Sequence, residues 1–254
     1  MIRNEIKEKL KNNQCVYGIF ANSLSEELAE ILVLAGFDFV MIDSEHSCSD
    51  AYINRRLLMA GESRGGNMCI RIPDTHTRSI LQNLDIGAQG ILVPQVNSVE
   101  EARRIVDAAK YYPQGMRGVA MPRAADYGMR ASINEYMQHE NSSVLIAVQC
   151  ENVACLDHLE EITRMDGIDV VFIGPFDLSQ SFGIPGEVFS DPIQKVIEQV
   201  LDVTKKYGKA AGIYTGSVEM ARKYQQMGFT FIIVGSDLTL FGNACKEMVS
   251  SLKV

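Results

Sequence analysis

The chain of 254 residues lacks several features, and each absence removes a class of function. No stretch approaches the roughly 18 uninterrupted apolar residues that a membrane helix needs. The opening MIRNEIKEKLKNNQ reads as a charged amphipathic helix rather than a leader with an apolar centre, so no membrane partner and a cytoplasmic location are expected. Positive charge is in deficit: the net charge of −8 opposes nucleic acid or an acidic lipid surface as partner. The six cysteines, Cys15, Cys48, Cys69, Cys150, Cys155 and Cys245, form no CxxC pair, which argues against a zinc knuckle or a redox motif and for free, mostly buried thiols. No glycine-rich phosphate loop follows the first apolar run, VYGIFANSLS, so the usual signature of a dinucleotide-binding open sheet is missing.

What is present is a regular alternation. Apolar runs at 16 to 20, 37 to 43, 67 to 71, 90 to 94, 144 to 149, 168 to 174, 209 to 214 and 230 to 235 are each followed by a helical pattern. The helices fall at 24 to 35, 50 to 63, 76 to 86, 98 to 110, 152 to 163, in segments up to Tyr207, at 217 to 228 and at the end of the chain, with a long loop and a short extra helix before the fifth run. The runs are continuously apolar, as in parallel strands covered on both faces. Eight βα units close a barrel, so the expected fold is a single (β/α)₈ TIM barrel over residues 1 to 254.

Barrel enzymes carry their chemistry at the C-terminal ends of the strands. There the sequence places Asp43, Glu45 and His46 after strand two, Arg71 after strand three, Pro94 and Gln95 after strand four, Gln149 and Glu151 after strand five, and Gly174, Pro175 and Asp177 after strand six. Glu151 and Asp177 emerge from neighbouring strands, which lie about 4.8 Å apart. Two carboxylates at that spacing suit a hard or borderline divalent cation, Mg²⁺, Mn²⁺ or Co²⁺; the alternative is that either acid lies on the surface or pairs with an arginine.

His46 is a candidate general base, with Asp85 of LQNLDIGAQG as a candidate orienting partner. Cys48 beside it reads as a small apolar filler rather than a nucleophile, and His76, His139 and His158 as structural. Arg71 suits a carboxylate or a developing enolate oxygen, or else pairs with a strand-end acid. Arg117 and Arg123, in the loop PQGMRGVAMPRAADYG, fit anion recognition or a subunit contact equally.

Taken together, MIDSEH, the RIP of strand three, LDIGAQGILVPQV, YYPQGMRG, QCEN and FIGPFDLS resemble the HpcH/HpaI aldolase family, the metal-dependent class II pyruvate aldolases, in order along nearly the whole chain. The resemblance implies a barrel that typically forms a hexamer and exchanges its last helix between subunits. It implies Glu151 and Asp177 as metal ligands, Gln149 near the substrate oxygen, Arg71 at the enolate, and His46 with Asp85 as a catalytic dyad. Backbone amides around Gly174 to Asp177 would hold the carboxylate of a small anionic 2-oxo acid.

The chain departs from the family pattern at Asn152, Gln95 and Tyr214, near the expected acceptor pocket. With Arg123, the polarity of Gln95 and Tyr214 suits a carboxylate-rich acceptor. The second reading is therefore a condensation of acetyl-CoA with oxaloacetate, similar to the citrate synthase of siderophore biosynthesis. A barrel that binds a metabolite without turnover is a third.

Overall fold

The computed structural model describes residues 4–253. Its eight strands are β1 (Val16–Ala21), β2 (Phe39–Asp43), β3 (Met68–Arg71), β4 (Gly90–Val93), β5 (Leu145–Cys150), β6 (Val170–Ile173), β7 (Ala210–Thr215) and β8 (Phe231–Ser236). They pair in parallel in sequence order, and β8 closes on β1, which makes the expected barrel. Every observed strand overlaps its apolar run, because the run itself is the segment buried on both faces.

The helices are α1 (Glu5–Lys11), α2 (Glu26–Leu34), α3 (Ala51–Ser63), α4 (Thr77–Asp85), α5 (Val99–Ala109), α6 (Ile133–Ser143), α7 (Val153–Leu156), α8 (Leu159–Thr163), α9 (Pro175–Ser181), α10 (Asp191–Tyr207), α11 (Val218–Met227) and α12 (Asp237–Leu252). Local chemistry fixes several of their ends. Ser25, Asp50, Ser98 and Ser217 accept hydrogen bonds from first-turn amides, and Ser132 with Glu135 forms a reciprocal capping box. Gly208 and Gly228 end α10 and α11 in the left-handed conformation. The helix expected over 152 to 163 is two short ones, interrupted at Asp157 and His158. The opening helix begins at Glu5, and residues 1 to 3 of the expected segment lie outside the described ones.

Two apolar layers hold the barrel. Ile19, Val40, Ile70, Ile91, Val148, Val171 and Ile213 face the helices, while Phe20, Phe39, Met41, Leu92, Phe172 and Phe231 fill the interior. Phe39 stacks on Phe231 with centroids 4.5 Å apart. Gly18 makes room for that pair, since a Cβ there would sit 2.2 Å from the Phe39 ring. Ile6 of α1 packs with this interior cluster.

The cysteines are free, but only Cys69, Cys150 and Cys155 are buried. Cys48 is exposed, which corrects its reading as a core filler: the SCSD segment runs along the surface.

Candidate active site

Strand register sets the mouth of the barrel. Asp43 and Arg71 are register partners on β2 and β3, so their side chains leave adjacent strand ends together. Arg71 Nε donates to Asp43 Oδ1 at 2.9 Å and Nη2 donates to Oδ2 at 2.7 Å. Asn22, just past β1, donates from Nδ2 to Asp43 Oδ2 at 2.6 Å, and the amides of Glu45 and His46 donate to Oδ1. Burial alone would raise the Asp43 pKa, but the hydrogen bonds and charge of Arg71, with the His46 amide and Asn22, hold it below the usual carboxylate range. Arg71 Nη1 lies 3.1 Å from Glu45 Oε2, and the guanidinium covers the Phe20 ring at 4.3 Å. Burial raises the Glu45 carboxyl, with Arg71 and His46 opposing and Asp43 and Asp177 reinforcing.

On the opposite side β5 and β6 end with Cys150 and Ile173 in register, so Glu151 and Gly174 are the next residues out. Glu151 is 1 % exposed. Its Oε1 accepts the Gln95 amide at 2.8 Å and its Oε2 accepts Gln149 Nε2. Gln95 has φ of 52°, a left-handed conformation unusual for a side-chain-bearing residue. A Cβ on Gly174 would sit 2.6 Å from Glu151 Oε2, so glycine is what lets β6 pass the carboxylate. Asp177 stands in the first turn of α9, behind Pro175 at the helix start. Burial raises the Glu151 pKa to about 7; the Gln95 amide and Arg71 oppose the shift, and the charges of Glu45 and Asp177 add to it.

These groups surround a cavity of about 330 Å³ lined by Phe20, Asn22, Asp43, His46, Arg71, Gln149, Phe172, Gly174, Pro175, Phe176, Asp177, Tyr214 and Ser236. Gln149 Oε1 is buried without a hydrogen-bond partner. Two mutually repelling carboxylates and an unpaired amide oxygen make a set of oxygen donors that fits a divalent cation. Among the described residues there is no cluster of three or more His, Cys, Asp or Glu side chains able to hold a metal.

Of the residues expected from the sequence, the cavity gathers His46, Arg71, Gln149, Gly174, Pro175, Asp177 and Tyr214, with Glu151 behind Gln149. Three take other places. Gln95 does not line it and contributes its amide to Glu151. Asp85 ends α4, and Arg117 Nη2 binds it at 2.8 Å; within one chain it does not meet His46, whose Nε2 lies instead 3.9 Å from Glu45 Oε2. Arg123 binds at 2.8 Å the carbonyl of Ile86, in the segment joining α4 to β4, and the carboxylate of Glu62, near the end of α3, and so lies toward the other end of the barrel. The reason is common to both: a helix after a strand runs back along the barrel, so its far end is remote from the mouth. Arg117 is buried between Asp85, Glu140 and the Tyr111 ring, out of reach of an anion from solution.

Sequence reasoning passed over Phe20, Asn22, Phe176 and Ser236. Asn22 and Ser236 lie at the ends of β1 and β8, where the rule applied to the middle strands would have found them.

A model of the HpcH/HpaI aldolase/citrate lyase family matches residues 16–244. The chain is 36% identical over 252 residues to the hydroxypyruvate/pyruvate aldolase of Cupriavidus necator, covering 98% of this chain and 93% of that one. The crystal structure of an HpcH/HpaI aldolase/citrate lyase family protein from Burkholderia cenocepacia superposes with a TM-score of 0.94 at 30% identity, over 99% of this chain and 100% of that one. That of the citrate synthase SbnG superposes with a TM-score of 0.88 at 28% identity, over 97% and 96%.

Proposed function

The chain belongs to the HpcH/HpaI aldolase/citrate lyase family, and from that premise we propose that it makes and breaks the aldol carbon–carbon bond of a small 2-oxo acid, using the cavity at the barrel mouth. The observation that carries this reading is the pairing of an oxygen-donor side, Gln149, Glu151 and Asp177, with the Arg71 guanidinium and the His46 imidazole across one cavity.

Glu151 and Asp177 would hold a divalent cation, Mg²⁺, Mn²⁺ or Co²⁺, and that ion would supply Lewis-acid withdrawal of charge from the 2-oxo group. The amides around Gly174 to Asp177 orient the substrate carboxylate. His46, exposed at the mouth, takes the proton from the carbon next to the carbonyl. Arg71, held rigid by Asp43, offers positive charge to the oxygen on which negative charge develops. In the bond-forming direction the deprotonated carbon attacks an aldehyde carbon, the carbonyl electron pair moves to the aldehyde oxygen, and that oxygen takes up the proton. Cleavage is the reverse, with the hydroxyl proton removed first.

Glu151→Gln keeps the shape and removes the charge. With divalent metal supplied, it should lose both metal binding by calorimetry and at least about a hundredfold in pyruvate release from a 4-hydroxy-2-oxo acid. Full metal-dependent turnover would contradict the assignment.

The chain acts as one domain and as a homo-oligomer, a hexamer if it follows the family. Support comes from α12, which leaves Leu238, Leu240, Phe241, Met248 and Leu252 exposed along its length, as a helix that docks on a neighbouring subunit would. Among the described residues no helix is long and apolar enough to cross a membrane; we place the protein in the cytoplasm. The condensation of acetyl-CoA with oxaloacetate has the likeness to SbnG in its favour. Two of the three residues that recommended it, Gln95 and Arg123, do not line the cavity.

A further inference from the structure

We propose that Asp237, at the junction of β8 with α12 and outside the cavity lining, is a positioning residue for Arg71, acting through Asn22 and Asp43. The proposal rests on the aldol reading above, which gives Arg71 its task at the developing negative charge.

The path begins with a bulge in β8. Gly18 pairs with Ile233 but Phe20 pairs with Ser236, so two steps along β1 match three along β8. Gly235 absorbs the extra residue at a φ of 65°, where a side chain would be strained. The extra residue reverses the alternation of the strand. Phe231 and Ile233 fill the barrel interior while Ile232 and Val234 face the helices, so unbroken alternation would turn Ser236 outward. Instead Ser236 joins Phe20 on the cavity lining, and Asp237 takes the place behind it, against the end of β1.

There Asp237 is 3 % exposed and holds the chain that leaves β1. Its Oδ1 accepts the Asn22 amide at 2.9 Å, and its Oδ2 accepts the Ser23 amide at 3.1 Å and the Ser23 hydroxyl. A buried carboxylate with three donors from two consecutive residues fixes their backbone, and with it the direction in which the Asn22 side chain leaves.

That direction matters because of how Asp43 is held. Its Oδ1 takes the amides of Glu45 and His46, whereas its Oδ2 takes Asn22 Nδ2 at 2.6 Å. Arg71 binds one nitrogen to each oxygen. Without Asn22 the backbone amides pin the carboxylate at Oδ1 alone, so it can pivot and carry the guanidinium with it. Catalytic charges must be placed to within about an ångström, and the placement of Arg71 thus reaches back to the first residue of α12.

The test follows exchange of the pyruvate methyl protons in D₂O with Mg²⁺, catalysed by the full chain. Asp237→Ala should lower kcat for exchange by about tenfold or more and leave KM within about twofold, because Arg71 serves the transition state and Asp237 does not line the cavity. Unchanged kcat, or a loss confined to KM, overturns the proposal. Asn22→Ala should lower kcat to a similar extent, and adding Asp237→Ala to it should cost less than about twofold more. Losses that multiply would mean that Asp237 supports the fold in general, and would overturn the proposal. Asp237→Asn keeps an oxygen for the Asn22 amide and should retain most of the activity; a loss as large as that of alanine counts against the path. Should Asp237→Ala not fold, the comparison is made with Asp237→Asn, whose loss should vanish in the Asn22→Ala background; persistence overturns the proposal. No exchange by the unaltered chain overturns the aldol reading and this proposal with it, whereas exchange that Asp237→Ala leaves undiminished overturns this proposal alone.

Discussion

Asp43 illustrates how a residue can matter to a site without touching substrate. Its buried carboxylate receives two Arg71 nitrogens, the Asn22 amide group and two backbone amides, so it fixes where the guanidinium can be. Asp43→Ala would leave Arg71 buried with only Glu45 as a charged partner, which costs up to about 3–5 kcal/mol. A urea titration should show that loss, and turnover should fall with it; a change below about 1 kcal/mol would mean the pair is not buried in solution. Gln95 acts in another way, by aiming its amide at Glu151 from a left-handed backbone. Gln95→Gly should keep metal affinity, and Gln95→Pro, which removes the N–H and cannot adopt that φ, should weaken it by about tenfold or more. Loss of affinity in the glycine variant would show that the side chain, not the amide, is what matters. Residue types at strand ends were legible in the sequence because polarity there breaks an apolar run. Partners were not: the Arg71–Asp43 pair depends on β2–β3 register, and the separation of Asp85 from His46 on the direction in which α4 runs.

At the scale of elements, the strands were legible because burial on both faces writes itself as uninterrupted apolar sequence. Helix ends are set by Ser, Asp and Gly caps. The break at Asp157 and His158 was not visible, since the apolar spacing of Cys155, Leu159 and Ile162 continues across it. The junction of β6 with α9 joins element to chemistry. Gly174 is both the cap of α9 and the residue that clears Glu151 Oε2. Gly174→Ala brings a methyl against that carboxylate, and either β6 or Glu151 must move. Metal affinity should drop by about tenfold or more while the fold, judged by circular dichroism, is retained. Unchanged affinity would show that the carboxylate has room to spare.

At the scale of the whole molecule, one of the buried basic side chains away from the site bears on stability. Lys110, 1 % exposed, donates to the carbonyls of Asn141 and Val144, and burial lowers its pKa from 10.5 to about 7. Between those values the unfolded chain binds more protons at this residue than the folded one, so its contribution to stability rises with pH, by up to about 1.4 kcal/mol per unit, and is flat below pH 7. Lys110→Met should flatten the dependence of unfolding free energy on pH between 7 and 9; an unaltered slope would mean another group carries it. The barrel and its mouth were legible as a whole because one rule, polar residues at the C-terminal strand ends, found most of the cavity. Both arginines of the loop before α6 lay beyond that rule, since each is held by residues of other elements.

The central claim is that this mouth makes pyruvate acidic at carbon three. Proton NMR of pyruvate in D₂O, with the protein and Mg²⁺ and then with chelator, tests it without any choice of aldehyde. The account predicts loss of the methyl signal by deuterium exchange with Mg²⁺, its abolition by chelator, and its absence in Glu151→Gln. Pyruvate that binds but keeps its methyl protons with Mg²⁺, Mn²⁺ and Co²⁺ alike would contradict it.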